Sequence, residues 1–197
     1  MSPEDTYRWL IDGVGESFDV HVVASVLALS RRQAIAEGKT IGETAGFDGQ
    51  PAVLLAMFPH AAALFETAGT APRGEDELCL VDLLKRGATT GSQLEDLLAG
   101  MIARRAQRPN HLWQDLGLRN RGELSALMIR HFAPLALRNR SDMKWKKFFF
   151  RTICRDADYA LCSAPSCGEC CDFDACFSEE TGESLLAHIR RDAEARV

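Results

Sequence analysis

Five of the seven cysteines in this 197-residue chain, Cys162, Cys167, Cys170, Cys171 and Cys176, fall within fifteen residues of one another. Four of them, Cys162, Cys167, Cys170 and Cys176, read C-x4-C-x2-C-x5-C, so their thiolates can converge on one centre from a single short loop. Thiolates hold iron and zinc alike. A structural zinc site usually pairs two C-x-x-C units across a longer insert, and here only Cys167 and Cys170 have that spacing. The first three cysteines match the C-x4-C-x2-C run of plant-type ferredoxins, whose fourth ligand lies much further along the chain. The pattern therefore favours an iron-sulfur cluster, with zinc as the alternative. Pro165 restricts the loop backbone, and Gly168 permits the turns that aim sulfurs inward. Cys171 can replace Cys170 in the set; adjacent side chains usually point apart, so one of the two serves a given iron. Cys154 reads as a spare thiol and Cys79 as a small buried hydrophobe on a helix.

Two histidines could add a contact, since neutral imidazole ligates iron or hydrogen-bonds to cluster sulfide. His111 begins a loop with Trp113 and Gln114 and can equally fix that loop's geometry. His131 falls on the apolar face of its helix, where a satisfied core histidine is the simpler reading. His21, His60 and His188 have no ligand-like neighbours in the sequence. Lys144, Lys147 and Arg151, at i, i+3 and i+7, share one helix face. Such a stripe would attract an oxyanion or an acidic partner, or form a solvated face opposite Trp145, Phe148 and Phe149. Gly13-Val14-Gly15 lacks the third glycine and the preceding strand of a dinucleotide loop, and no P-loop pattern occurs.

The elements that position these residues read as helices throughout. From the start to about Arg108, apolar residues recur at three- and four-residue spacing with almost no period-two alternation. Asp19 is placed to cap a helix with Val22, Val23, Val26, Leu27 and Ser30 inward, ending before Gly38. Gly38 to Pro51 holds four glycines and reads as a loop. Pro51 suits the first turn of an apolar helix through Leu55, Phe58 and Leu64, which Pro59 must bend or interrupt. Thr70 to Gly74 is a connector; helices follow at Glu75 to Lys85 and Ser92 to Gln107, the second with a Ser92–Glu95 capping box. Arg108 to Asn120 reads as an ordered loop or short helical turn. A helix from Glu123 to Leu137, kinked at Pro134, has Leu124, Leu127, Met128, His131, Phe132 and Leu135 on one face. Ser141 or Asp142 can cap the next helix, a cysteine-rich loop runs to Phe177, and Glu180 to Arg196 looks like a terminal helix.

Composition bounds the partners. A net charge of −5 argues against general nucleic-acid binding, which requires many neutralised phosphates. No uncharged apolar run approaches the length of a membrane span, and Met1 to Asp12 lacks the pattern of a secretory signal. A cytoplasmic location is expected, and a reducing compartment favours metal over disulfides for clustered cysteines.

The cysteine spacing does not stand alone. It is preceded by HLWQDLGL at His111 to Leu118, ELSALM at Glu123 to Met128, HF at His131 and Phe132, and DMKWKKFFFR at Asp142 to Arg151. In this order and with the cysteine motif, these segments resemble the NifQ family over about residues 108 to 180. The resemblance implies a cytoplasmic protein, not an enzyme, that carries a molybdenum-containing iron-sulfur cluster. It implies donation of molybdenum during synthesis of the nitrogenase iron-molybdenum cofactor, at the cofactor scaffold complex and with the nitrogenase iron protein. Cys162, Cys167, Cys170 and Cys176 match the family's cluster motif position by position, for a cluster of 3Fe-4S or 4Fe-4S type; Cys171, His111 and His131 are candidates for additional metal contacts. Molybdate or another molybdenum source is then a partner, with neither nucleic acid nor membrane. The expected fold is all-α, with an N-terminal helical region at 1–107 and a NifQ-like region at 108–197 in one compact domain. The irregular cluster-binding loop spans 154–177. A structural zinc or simple iron-sulfur interaction module, or an electron-transfer protein, is the alternative.

Overall fold

The computed structural model describes residues 1–15, 17–48, 51–65 and 72–156, with side chains to Ile153. Every regular element among them is helical, as the periodicity predicts. Helix α1 (Pro3–Ile11) opens with a capping box, in which Ser2 Oγ accepts from the Asp5 backbone N–H and Asp5 Oδ2 accepts from that of Ser2. Helix α2 (Phe18–Glu37) is the central rod. Every residue from Val22 to Ser30 is buried, so it is covered by neighbours on all sides rather than along one stripe. Its cap is Ser17, whose Oγ accepts from Val20 N–H at 3.1 Å. Asp19, the expected cap, lies inside the first turn and turns its carboxylate to His131 and Arg130. Gly38 ends the helix at φ +63°, the left-handed conformation that glycine adopts without a Cβ clash.

The glycine-rich stretch expected to be a loop contains a short helix, α3 (Ile41–Ala45). Its start is a Thr40–Glu43 capping box, and Thr44 Oγ1 donates to the Ser30 carbonyl of α2 at 2.9 Å. Helix α4 (Ala52–Met57) stops at buried Phe58; a 3-10 turn (Pro59–Ala61) and α5 (Ala62–Phe65) complete the interruption that Pro59 imposes. Helices α6 (Glu75–Arg86) and α7 (Gln93–Ala106) pack together, the latter started by the predicted Ser92–Glu95 box. Burial opposes the charge of Glu95, but N–H donors of Thr90, Ser92 and Gly91 on its carboxylate outweigh it and hold the group below its ordinary pKa.

The remaining described elements are α8 (Leu112–Asp115), α9 (Arg121–His131), α10 (Ala133–Ala136) and α11 (Trp145–Asp156). The α9–α10 break falls at Phe132, two residues before Pro134, and the face predicted from Leu124 to Leu135 is buried. Asp142 does not cap α11; it lies at φ +51° and pairs with Arg121 at 2.8 Å. The expected terminal helix at 180–196 lies outside the described residues. One apolar cluster runs from Leu10 through Val23, Phe58, Leu84, Met101, Trp113 and Met128 to Phe149. Among the described residues no helix is long and apolar enough to cross a membrane.

Gly46, which caps the end of α3, touches Gly100 of α7. A Cβ on Gly100 would collide with the Gly46 carbonyl, and one on Gly46 would meet Gly100 and Arg104. Because backbone and not a flexible side chain fills that space, Gly100→Ala should destabilise by about 2 kcal/mol. Its melting temperature should fall by about 4–8 °C in a thermal scan.

Candidate metal centre and its helical platform

Cys162, Cys167, Cys170, Cys171 and Cys176 lie outside the described residues, as does the side chain of Cys154. The described residues end in the helix that precedes them in sequence. Cys79, expected to be a buried hydrophobe, is instead exposed on α6. Its neighbours Leu80, Leu83 and Leu84 form the inward face, which leaves Cys79 on the outer side.

Helix α11 is the last described element before the cysteines, and it is held in two ways. Trp145, Phe148 and Phe149 enter the core and pack edge-on or tilted against one another at centroid distances of 5.7–6.0 Å. Between them in sequence, Lys146 enters a cage of three oxygens. Its ammonium donates to the carbonyl of Arg108, to that of Asn110 at 2.6 Å, and to Asp115 Oδ2 at 2.6 Å. Asp115 is fully buried; its other carboxylate oxygen accepts from Asn110 Nδ2 at 3.0 Å, and its carbonyl accepts from Arg105 Nε at 2.6 Å. Arg105 is itself buried and reaches Gln33 of α2. Burial pushes the Arg105 guanidinium down to about 10. The DMKWKKFFFR and HLWQDLGL segments thus meet at a buried ion pair. Of the basic stripe expected on this helix, Lys147 is exposed, while Arg151 and Lys144, which precedes the first helical residue, are half-buried and engaged.

The two candidate histidines have separate positions. His111 precedes α8 and forms a capping box with Gln114, whose side-chain oxygen accepts from the His111 backbone N–H at 3.3 Å. His131 ends α9 in the core, as the apolar pattern predicts, with Nε2 3.0 Å from Asp19 Oδ1 and Nδ1 3.9 Å from Glu95 Oε1. It therefore ties α9 to the starts of α2 and α7.

His21, set aside on sequence grounds, has close polar partners. Nδ1 is 2.8 Å from the Tyr7 hydroxyl and Nε2 is 3.2 Å from Glu123 Oε2. The three line a cavity of about 600 Å³ with Arg119, Ile11, Val14 and Phe18. Burial raises the Tyr7 phenol above its ordinary pKa. These partners stand 14 and 102 residues away, and nothing local in the sequence reveals them.

These features define an all-helical protein whose last described helix is locked to the body by a buried charge just ahead of a cysteine-rich segment. The chain belongs to the NifQ family, whose sequence model matches residues 22–178. It is 39% identical over 186 residues to a NifQ homolog of Sinorhizobium fredii, an alignment covering 91% of this chain and 80% of that protein. It is 44% identical over 108 residues to the NifQ protein of Rhodobacter capsulatus, covering 54% of this chain and 59% of that one. It is 46% identical over 81 residues to NifQ of Klebsiella pneumoniae, covering 41% and 48%. No solved structure matches the chain.

The loop that cages Lys146 is also fastened from outside. Arg108 grips Glu37 of α2 with contacts of 2.6 and 3.3 Å, and with Lys39 it holds the Glu37 carboxyl at about 2 against an ordinary 4.5. The folded value lies below the unfolded one, so the stabilisation is full above the ordinary value and is lost as pH falls toward the folded value. Glu37→Gln should cost about 1 kcal/mol at neutral pH, a figure reduced by the pair's partial exposure. In urea denaturation at stepped pH, its stability should fall less steeply than that of the wild type between 4.5 and about 2.

Proposed function

We propose that this chain is an iron-sulfur metallocluster carrier that binds molybdenum and donates it during assembly of the nitrogenase iron-molybdenum cofactor. The observation that carries this reading is the family match over 22–178, which takes in the whole C-x4-C-x2-C-x5-C set. The donor set suits the group: four soft thiolates in one short stretch are what an iron-sulfur cluster requires. Cys162, Cys167, Cys170 and Cys176 would hold it, with Cys171 as the alternative to Cys170. When bound, a 3Fe-4S or 4Fe-4S cluster supplies sulfide faces to which a thiophilic metal such as molybdenum attaches.

The chain's own part is to hold, present and release. No bond in an organic substrate has to be broken, so the reading requires no catalytic residue. Delivery to a cofactor scaffold together with the nitrogenase iron protein requires a cytoplasmic protein, which is the location proposed. His111 and His131 are kept as candidates for a further metal contact, His131 only if its link to Asp19 opens.

Protein purified without oxygen from cells supplied with molybdate should contain iron, acid-labile sulfide and molybdenum, with an electron paramagnetic resonance signal from the cluster. Stoichiometric zinc without sulfide would overturn the reading in favour of a structural module; a reversibly reducible cluster without molybdenum would point to electron transfer. Cys167→Ser should lose most of the iron while the far-ultraviolet helical signal is kept. Cys171→Ser should be mild when Cys170 is the third ligand, and a severe loss would exchange the two.

A further inference from the structure

Tyr7, His21 and Glu123 form a hydrogen-bonded line along the cavity of about 600 Å³ that they share with Arg119. Its direction follows from the atoms. Glu123 Oε2 belongs to a carboxylate and only accepts, so His21 Nε2, 3.2 Å away, carries a hydrogen. In the neutral ring Nδ1 is then the acceptor, and the Tyr7 hydroxyl at 2.8 Å donates to it. The same Glu123 oxygen also accepts from the Arg119 backbone N–H at 2.8 Å. This line joins α1, α2 and α9 and spends its hydrogens within itself.

Among the described lining residues, two retain hydrogens to give to a guest. Arg119 is 71% exposed, and its Nη1 stands 3.5 Å from Glu123 Oε1, longer than an ordinary N–H···O bond. Its five-hydrogen fork, which also lies beside the Tyr7 hydroxyl, is therefore far from consumed. Ser17 Oγ accepts from Val20 N–H and keeps its own hydrogen. Ile11, Val14 and Phe18, each only partly covered by the core, supply apolar lining. A volume of this size, with apolar walls and a few fixed polar groups, is that of a small-molecule site. The charges select the guest. Glu123 is already paired with Arg119 and His21, and the more distant Glu4 with Arg8, so an amine would find no free carboxylate, whereas an acid would find an accessible guanidinium.

We propose that this cavity binds a small organic acid, with its apolar body against Ile11, Val14 and Phe18 and its carboxylate on the Arg119 guanidinium. The Tyr7–His21–Glu123 line forms the site before the guest arrives, so little ordering is left for binding to supply. The proposal goes beyond the cluster-carrier reading and does not rest on it.

The test is calorimetric titration of the full chain with 4-phenylbutyrate, its neutral amide 4-phenylbutyramide and the amine 4-phenylbutylamine, with nuclear magnetic resonance of the His21 ring alongside. The acid should bind with a Kd near about 1 mM, as suits a probe of its size. It should bind about tenfold more tightly than the amide or the amine, and it should shift the His21 resonances. Arg119→Met keeps the apolar stem at an exposed position; its denaturation midpoint should be unchanged and its affinity for the acid should fall to that for the amide. Val14→Trp should fill the cavity and remove binding of every probe, with Val14→Phe as the milder filling should the larger ring prevent folding.

Equal binding of acid and amide, tighter binding of the amine, or acid binding that survives Arg119→Met would overturn the carboxylate assignment. Absence of saturable binding at concentrations about tenfold above the expected Kd, or binding undiminished in the filled variants, would overturn the site itself. Acid binding by a protein that holds no cluster would remove the carrier reading and leave this one standing.

Discussion

Asp115 carries a carboxylate at zero solvent exposure, and an isolated ionised carboxyl there would cost more than the fold as a whole has to spare. Its neighbours answer that constraint. Lys146 supplies the counter-charge and places each of its three donors on a protein oxygen; Asn110 takes the second carboxylate oxygen; Arg105 fixes the backbone carbonyl. Helices α7, α8 and α11 thereby acquire a common reference point, and Arg105 extends it to Gln33 on α2. Aromatic packing could hold α11 against the body with some freedom of rotation. A saturated ammonium cannot turn without losing bonds that the dry interior makes expensive.

The same device recurs in the segments by which the family is recognised. HLWQDLGL gives Asp115 to Lys146 of DMKWKKFFFR, ELSALM gives Glu123 to His21, and HF gives His131 to Asp19. Two of the three links reach back more than 100 residues to α2. Residue types that look like acid, base or metal chemistry in sequence are here engaged in joining helices. With the bonds to Ser30, Gln33 and Glu37, these links fix the central helix more sharply than apolar contact alone would.

What was legible in the sequence is what depends on near neighbours. Ser92 with Glu95, the stop at Gly38, the break at Pro59 and the buried face from Leu124 to Leu135 each follow from residues within one or two turns. The spacing of Cys162, Cys167, Cys170 and Cys176 is likewise read from near neighbours, and the centre proposed for it lies outside the described residues. What was not legible is what a distant partner decides. Ser17 and Asp19 are equally able caps two residues apart, and His131 from the far end of the chain engages Asp19 and leaves Ser17 the cap. Helix α3 was masked by glycines because its start is fixed by the Thr40–Glu43 box and its packing by Gly100 of α7. Lys146 carries no local signal of its own, and the fold shows that it meets the buried carboxylate of Asp115.

A division of labour follows from the energies. Metal–thiolate binding can release on the order of 10 kcal/mol or more in structural sites, while ordering a short loop costs roughly 1–2 kcal/mol per residue. Over the fifteen residues that span the four thiolates that cost, roughly 15–30 kcal/mol, equals or exceeds the binding term, so a site formed there would draw on a fixed attachment to a folded body. On the proposed carrier reading the helical body would supply that attachment, and the Lys146–Asp115 pin would fix the rotation of the last described helix, which apolar contact fixes less sharply.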